Sequence, residues 1–148
     1  MPQAELIGFD TGYFGHCLAA GTPLPERILT QQLFGDVREL APATLEGVDA
    51  VVYLAAISND PMGEEFAAVT RSVNFAAAVA VATAAKTAGA QKFVLTSSCS
   101  VYGRGEMCCE RSPVNPLTAY ARSKVEAEEH LKSLAGHGFS VEIGRAHV

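Results

Sequence analysis

Short apolar runs of strand length alternate along this chain with longer stretches of helical period, and that alternation constrains the fold more than any other feature. The strand-length runs fall at residues 5–9, 28–34, 50–55, 92–96 and 139–143. Two helical stretches stand out, one over about 63–88 closed by Gly89, the other over about 118–135 closed by Gly136 and Gly138. Parallel neighbours need a crossover connection, and a helical crossover lies on the face of the sheet, so strands that alternate with helices predict a parallel sheet under helices. The expected fold class is therefore α/β, in a single domain. Pro113 and Pro116 mark the loop before the second helix.

Composition excludes several classes of partner. A net charge of −5 gives no clustered positive surface for nucleic acid or an anionic membrane, and neither is expected as a partner. The most apolar stretch, 66–90, is interrupted by Arg71, Asn74 and Lys86 and dominated by alanine, which predicts a helix packed inside a soluble protein. Cys17, Cys99, Cys108 and Cys109 form no Cys-x-x-Cys pair and have no histidine at ligand spacing, so structural zinc is not expected. With no signal peptide visible, free thiols in the cytoplasm are the expectation.

Near the start, Gly8, Gly12 and Gly15 sit at a spacing close to that of a dinucleotide-binding loop. A phosphate cradle needs a buried strand before the glycines and a helix after them. Here Leu6 and Ile7 are the strongly strand-like residues before Gly8, the helical run His16–Ala20 is cut short by Gly21–Pro25, and Asp10 would set a carboxylate against a pyrophosphate. The segment is not expected to hold phosphate.

The strongest chemical signal is LTAYARSK, in which Tyr120 and Lys124 lie four residues apart on a predicted helix and so share a face. A free tyrosine titrates near ~10, and acting as a base near neutral pH requires a shift of about three units, or roughly 4 kcal/mol. A neighbouring ammonium acts in that direction. Upstream, KFVLTSSCSVYG reads as a buried strand ending in a hydroxyl-rich turn, which brings Ser97, Ser98 and Ser100 to the carboxyl edge of the sheet, where open α/β folds bind ligands.

With these residues the sequence resembles the extended short-chain dehydrogenase/reductase family, the NAD-dependent epimerase/dehydratase group that modifies nucleotide sugars. LIGFDTG, FGDVR, VDAVVYLAAIS, KFVLTSSCSVYG and NPLTAYARSKVEAE match its pattern in order. The resemblance implies a Rossmann-like doubly wound parallel sheet and NAD as cofactor. It also implies that Tyr120 takes a proton from a sugar hydroxyl, that Lys124 holds the nicotinamide ribose and acidifies the tyrosine, and that Ser98 hydrogen-bonds the reacting oxygen. Leu54, Ala55 and Ala56 match a strand end where small residues admit the cofactor, and Asn74 matches an asparagine near the same site. Asp36 and Val37 match the pair beside adenine. Asp10 matches the acidic residue that ends the second strand and binds the adenosine ribose.

The departures narrow the chemistry. Tyr53 stands where a histidine is common, and Cys99–Ser100 replaces the Asp-Glu pair that sugar 4,6-dehydratases of this family carry for elimination. Epimerisation through a transient keto sugar is the expected reaction. Keto-sugar reduction and a non-catalytic dinucleotide-sensing module are the alternatives. A nucleotide sugar is the expected substrate, and the resemblance alone makes the two long helices candidates for a homodimer contact in the intact parent.

If residues 5–9 are the family's second strand, its central first strand and glycine loop, like the C-terminal substrate lobe, fall outside this sequence. Residues 1–143 are then a partial NAD-binding domain, which by itself is expected to be poorly stable and to bind NAD weakly or not at all. The closing EIGRAHV is also what one reading frame of a widely used sequencing adapter encodes, so 144–148 is expected to be a non-native tail.

Overall fold

The computed structural model describes residues 4–17, 28–105 and 107–145. They divide into two compact units, Met1–Leu40 and Ala41–Val148. The expected break at Gly21–Pro25, the run from Leu18 to Ala20 and the last three residues of the expected tail lie outside the described residues.

The first unit is a parallel pair. Strand β1 (Ile7–Asp10) aligns with β2 (Gln31–Phe34), Ile7 opposite Gln31 and Asp10 opposite Phe34. Both strands are shorter than the apolar runs suggested, and Gly15–Cys17 is a single 3-10 turn. Neither strand buries a residue fully, and Ile7 and Phe34 are largely exposed.

The second unit contains β3 (Ala50–Tyr53), β4 (Lys92–Thr96) and β5 (Ser140–Gly144), all parallel in the order β3-β4-β5. Alternation along β4 explains its two faces. Phe93 and Leu95 are fully buried on the face that receives the helices. On the other face Lys92 pairs with Glu142 at 2.7 Å, and Val52 stays exposed. Among the described residues, β1 pairs with β2 alone and β3 with β4 alone.

The first helical stretch is two helices rather than one. Asn59 caps α1 (Asp60–Glu65) through Met62 N–H, with Pro61 in the first turn, and Phe66 then leaves helical geometry at φ −114°, ψ 44°. A continuous 22-residue helix follows, Ala67–Ala88. It comprises α2 (Ala67–Arg71), a π-helical segment (Ser72–Ala77) and α3 (Ala78–Ala88). Gly89 ends it in the left-handed region at φ 94°, as expected of a glycine at that position. By length and composition this helix could cross a membrane, but Asn74, Ala77, Ala78, Val81, Ala82 and Ala85 form a buried stripe inside the protein.

Thr118 caps the last helix, α4 (Ala119–Leu134), through Ala121 N–H. Its end differs from expectation. Ala135 turns extended at ψ 142° and closes the helix, and Gly136 belongs to the turn that bridges back to Phe139. The buried stripe of α4 runs Tyr120, Lys124, Ala127, Glu128, Leu131, with two charged residues at core positions. Lysine and glutamate are rarely buried completely without partners, so this stripe marks the chemistry.

Candidate active site

Strand β4 and helix α4 build the site. Lys124 is 2% exposed, and its Nζ donates to Thr96 O at 2.9 Å, at the carboxyl end of β4. The same ammonium lies 5.8 Å from the centroid of the Tyr120 ring, and Tyr120 is itself buried. Ser98 follows Thr96 by two residues and caps a 3-10 turn (Cys99–Tyr102) that packs on α4. Ser98, Tyr120 and Lys124 thus gather around the carboxyl end of one strand. Burial lowers the Lys124 pKa to about 8, against the opposing pull of the Glu128 carboxylate one turn along.

The three serines of the turn do different things. Ser98 Oγ accepts from Ser100 N–H at 3.2 Å and donates to Ser100 Oγ at 3.1 Å. Ser97 instead points inward and donates to Glu128 Oε1 at 2.5 Å. Glu128 is buried, which alone would push its carboxyl up. Hydrogen bonds from Arg145 and Ser97, together with the charges of Arg145 and Lys132, outweigh burial and hold it below its usual value. Arg145 Nε donates to Glu128 Oε1 at 2.9 Å, Nη2 pairs with Oε2, and Nη1 reaches Tyr102 Oη at 2.9 Å. Arg145 falls in the stretch 144–148 read from sequence as a tail, whereas Gly144 is the last residue of β5.

Asn74 lies in the π-helical segment and is fully buried. Its Oδ1 accepts from Ile57 N–H at 2.8 Å, and its Nδ2 donates to Ile57 O at 3.1 Å and to Ser123 Oγ at 3.1 Å. Ser123 Oγ donates in turn to Tyr120 O at 2.7 Å. Tyr53 stacks on Phe93 with centroids 6.1 Å apart and donates to Val73 O at 2.7 Å, beside Asn74 in the same segment. Leu54 is exposed and Ala55 and Ala56 are half-buried, directly beyond the carboxyl end of β3.

The remaining sequence-selected residues belong to the first unit. Asp10 ends β1, and its Oδ1 accepts from Gly12 N–H at 2.6 Å. Asp36 caps the short turn Val37–Glu39, and hydrogen bonds from the Arg38 side chain and backbone lower its pKa to about 2.

Glu128 and Ser123 were not singled out from sequence, and Ser97, expected with Ser98 and Ser100 at the sheet edge, is buried and turned to Glu128 instead. One signal was present: Glu128 stands four residues beyond Lys124, continuing the Tyr120–Lys124 face of α4.

Known proteins share this fold. The model of the NAD dependent epimerase/dehydratase family matches residues 3–147. A dTDP-glucose 4,6-dehydratase from Streptomyces venezuelae, solved with NAD bound, is 28% identical with a TM-score of 0.80, over 98% of this chain and 47% of that one. A UDP-N-acetylglucosamine 4-epimerase from Methanobrevibacter ruminantium is 20% identical with a TM-score of 0.76, over 95% of this chain and 54% of that one. A UDP-Glc/GlcNAc 4-epimerase from Campylobacter jejuni is 21% identical with a TM-score of 0.76, over 96% and 53%. The chain spans about half the length of these solved structures.

Proposed function

The chain belongs to the NAD-dependent epimerase/dehydratase family, and from that premise we propose that it carries the proton-transfer site of a cytoplasmic nucleotide-sugar epimerase. The observation that carries the reading is the Lys124 ammonium, held at Thr96 O and 5.8 Å from the Tyr120 ring. A lysine has three N–H donors, and among the described residues Thr96 O is the one hydrogen-bond acceptor Lys124 meets. A buried ammonium with donors to spare suits a ribose hydroxyl, so the residues present fit the family's cofactor, NAD.

NAD, when bound, supplies the hydride acceptor at the sugar carbon. Tyr120 accepts the proton of the sugar hydroxyl as that carbon is oxidised, and returns it when the keto sugar is reduced from the opposite face. Lys124, with its ammonium 5.8 Å from the Tyr120 ring, holds the nicotinamide ribose. Ser98 donates to the reacting oxygen, which requires its hydroxyl to turn from Ser100 Oγ. Leu54, Ala55 and Ala56 line the approach at the end of β3, Asp10 binds the adenosine ribose, and Asp36 and Val37 flank adenine.

A 4,6-dehydratase is among the similar structures, yet Cys99 and Ser100 provide no carboxylate pair for elimination. The substrate is a nucleotide sugar, and pairing of two copies runs through the long helices. The half-length chain turns over poorly or not at all. The test compares it with the full-length product of its gene, using NAD and a panel of nucleotide hexoses with product analysis. Epimerised sugar from the full-length protein, abolished by Tyr120→Phe, is the expected result. Reduced sugar alone would make it a keto-sugar reductase, and a ligand response unaffected by Tyr120→Phe would make it a sensor.

A further inference from the structure

The turn of α4 that carries Tyr120 is held from outside by a short helix that the chemistry above does not use. Gly63 of α1 is buried against it. A Cβ at Gly63 would lie 3.3 Å from Tyr120 Cβ, tighter than most side-chain contacts, and 3.5 Å from Tyr120 N, so Tyr120 would have to give by a few tenths of an ångström. The next residue, Glu64, accepts from Ala119 N–H at 3.1 Å through Oε2, and Arg122 Nη2 stands 3.5 Å from the same oxygen.

The first turn of a helix presents N–H groups with no intrahelical acceptor. In α4 Thr118 Oγ1 takes that of Ala121 from within the helix at 3.1 Å. Ala119 is served by a carboxylate from another element, where negative charge also suits the helix dipole. Tyr120 therefore sits between two anchored residues, with Gly63 packed under its Cβ. The Asn59 cap and Pro61 fix where α1 starts, directly after the segment Leu54 to Ile57 at the end of β3.

We propose that Gly63 and Glu64 are positioning residues for Tyr120, a steric stop and a polar tether that together set where its phenol stands at the end of β4. The proposal rests on Tyr120 being the proton-transfer group. It adds that the placement of the phenol is set by α1 as well as by α4. The absence of a side chain at residue 63 and an acceptor oxygen at residue 64 are then both required. Neither residue touches the reacting atoms.

The test is ring-13C tyrosine NMR on this chain, with the Tyr120 resonance assigned by its loss in Tyr120→Phe. Gly63→Ala should displace that resonance and leave those of Tyr13, Tyr53 and Tyr102 in place. Glu64→Ala should displace it in the same selective way. Glu64→Gln keeps an acceptor oxygen for Ala119 N–H and should leave the resonance near its original position. Glu64 is exposed at the surface, so its variants report even where Gly63→Ala does not fold. An unmoved Tyr120 resonance in Glu64→Ala, or equal shifts of all four tyrosines, overturns the proposal. The NMR readout needs no turnover: a negative result removes the clamp and leaves the catalytic reading standing, whereas a Tyr120→Phe enzyme of undiminished activity removes the catalytic reading and leaves the clamp.

Discussion

Lys124 Nζ hangs between the Thr96 carbonyl, 2.9 Å away, and the Tyr120 ring, whose centroid is 5.8 Å away. Its burial has a thermodynamic signature. The folded pKa is lowered to about 8 from 10.5, so between those values the unfolded chain binds more protons than the folded one. Stability then rises with pH through that window, by on the order of 3 kcal/mol across all of it. Lys124→Met keeps the buried stem and removes the titration. Urea unfolding at pH 7.5 and pH 10 should show the original protein gaining on the variant as pH rises; parallel curves would mean that Lys124 titrates normally.

Thr70 is fully buried in α2, and its Oγ1 has no hydrogen-bond partner among the described residues. A desolvated hydroxyl without a partner is a cost that an isosteric methyl removes. Thr70→Val should raise stability by about 1 kcal/mol, read as a higher urea midpoint at unchanged slope. A lower midpoint would place an acceptor or an ordered water at Thr70 Oγ1.

How much of this was legible in the sequence varies with the range of the interaction. Strand β4 is legible to the residue, because buried Phe93 and Leu95 alternate with exposed Lys92, half-buried Val94 and exposed Thr96 between clear boundaries. The break at Phe66 was missed, although Asn59 and Pro61 are a start signal three residues before the expected helix. Helix α4 was expected to stop at glycines, but Ala135 ends it by turning extended, a choice that the return to Phe139 imposes. Tyr120 and Lys124 were legible because four residues is a local spacing. Gly63 against Tyr120 and Asn74 against Ile57 were not, since such approaches exist only after the crossover has folded back.

Asn74 joins the exit of β3 to α4 through three hydrogen bonds, at Ile57 N, Ile57 O and Ser123 Oγ. Asn74→Leu fills similar volume but strands the Ile57 N–H and C=O away from water. The expected loss is about 3 kcal/mol by chemical unfolding, and the backbone amide of Ile57 should exchange with deuterium much faster. Asn74→Asp keeps the acceptor for Ile57 N–H but loses both donors and introduces a buried charge, so its loss should be larger at neutral pH than near pH 4. An equal loss at the two pH values would exclude burial of the new carboxylate.

Glu128 and Arg145 form an ion pair in which both side chains are less than a tenth exposed. Pairing of this kind need not stabilise more than apolar residues would, but removing one partner leaves a buried charge uncompensated. Arg145→Ala should therefore cost about 3 kcal/mol, with Ser97 Oγ at 2.5 Å and Lys132 Nζ at 3.8 Å left to hold the carboxylate. The pH dependence fixes the sign. With Arg145 present the folded pKa of Glu128 is lowered, so its contribution is in place above the ordinary carboxylate range and is lost as pH falls through the lowered value. Without Arg145 the largest remaining influence is burial, which raises the pKa, and Glu128 then takes up its proton at higher pH. Acid unfolding of Arg145→Ala should begin at higher pH than that of the original protein, and Glu128→Gln in the Arg145→Ala background should recover part of the lost stability at pH 7. If Glu128→Gln instead compounds the loss, the carboxylate is adequately held by Ser97 and Lys132 alone, and the arginine contributes through its contact with Tyr102.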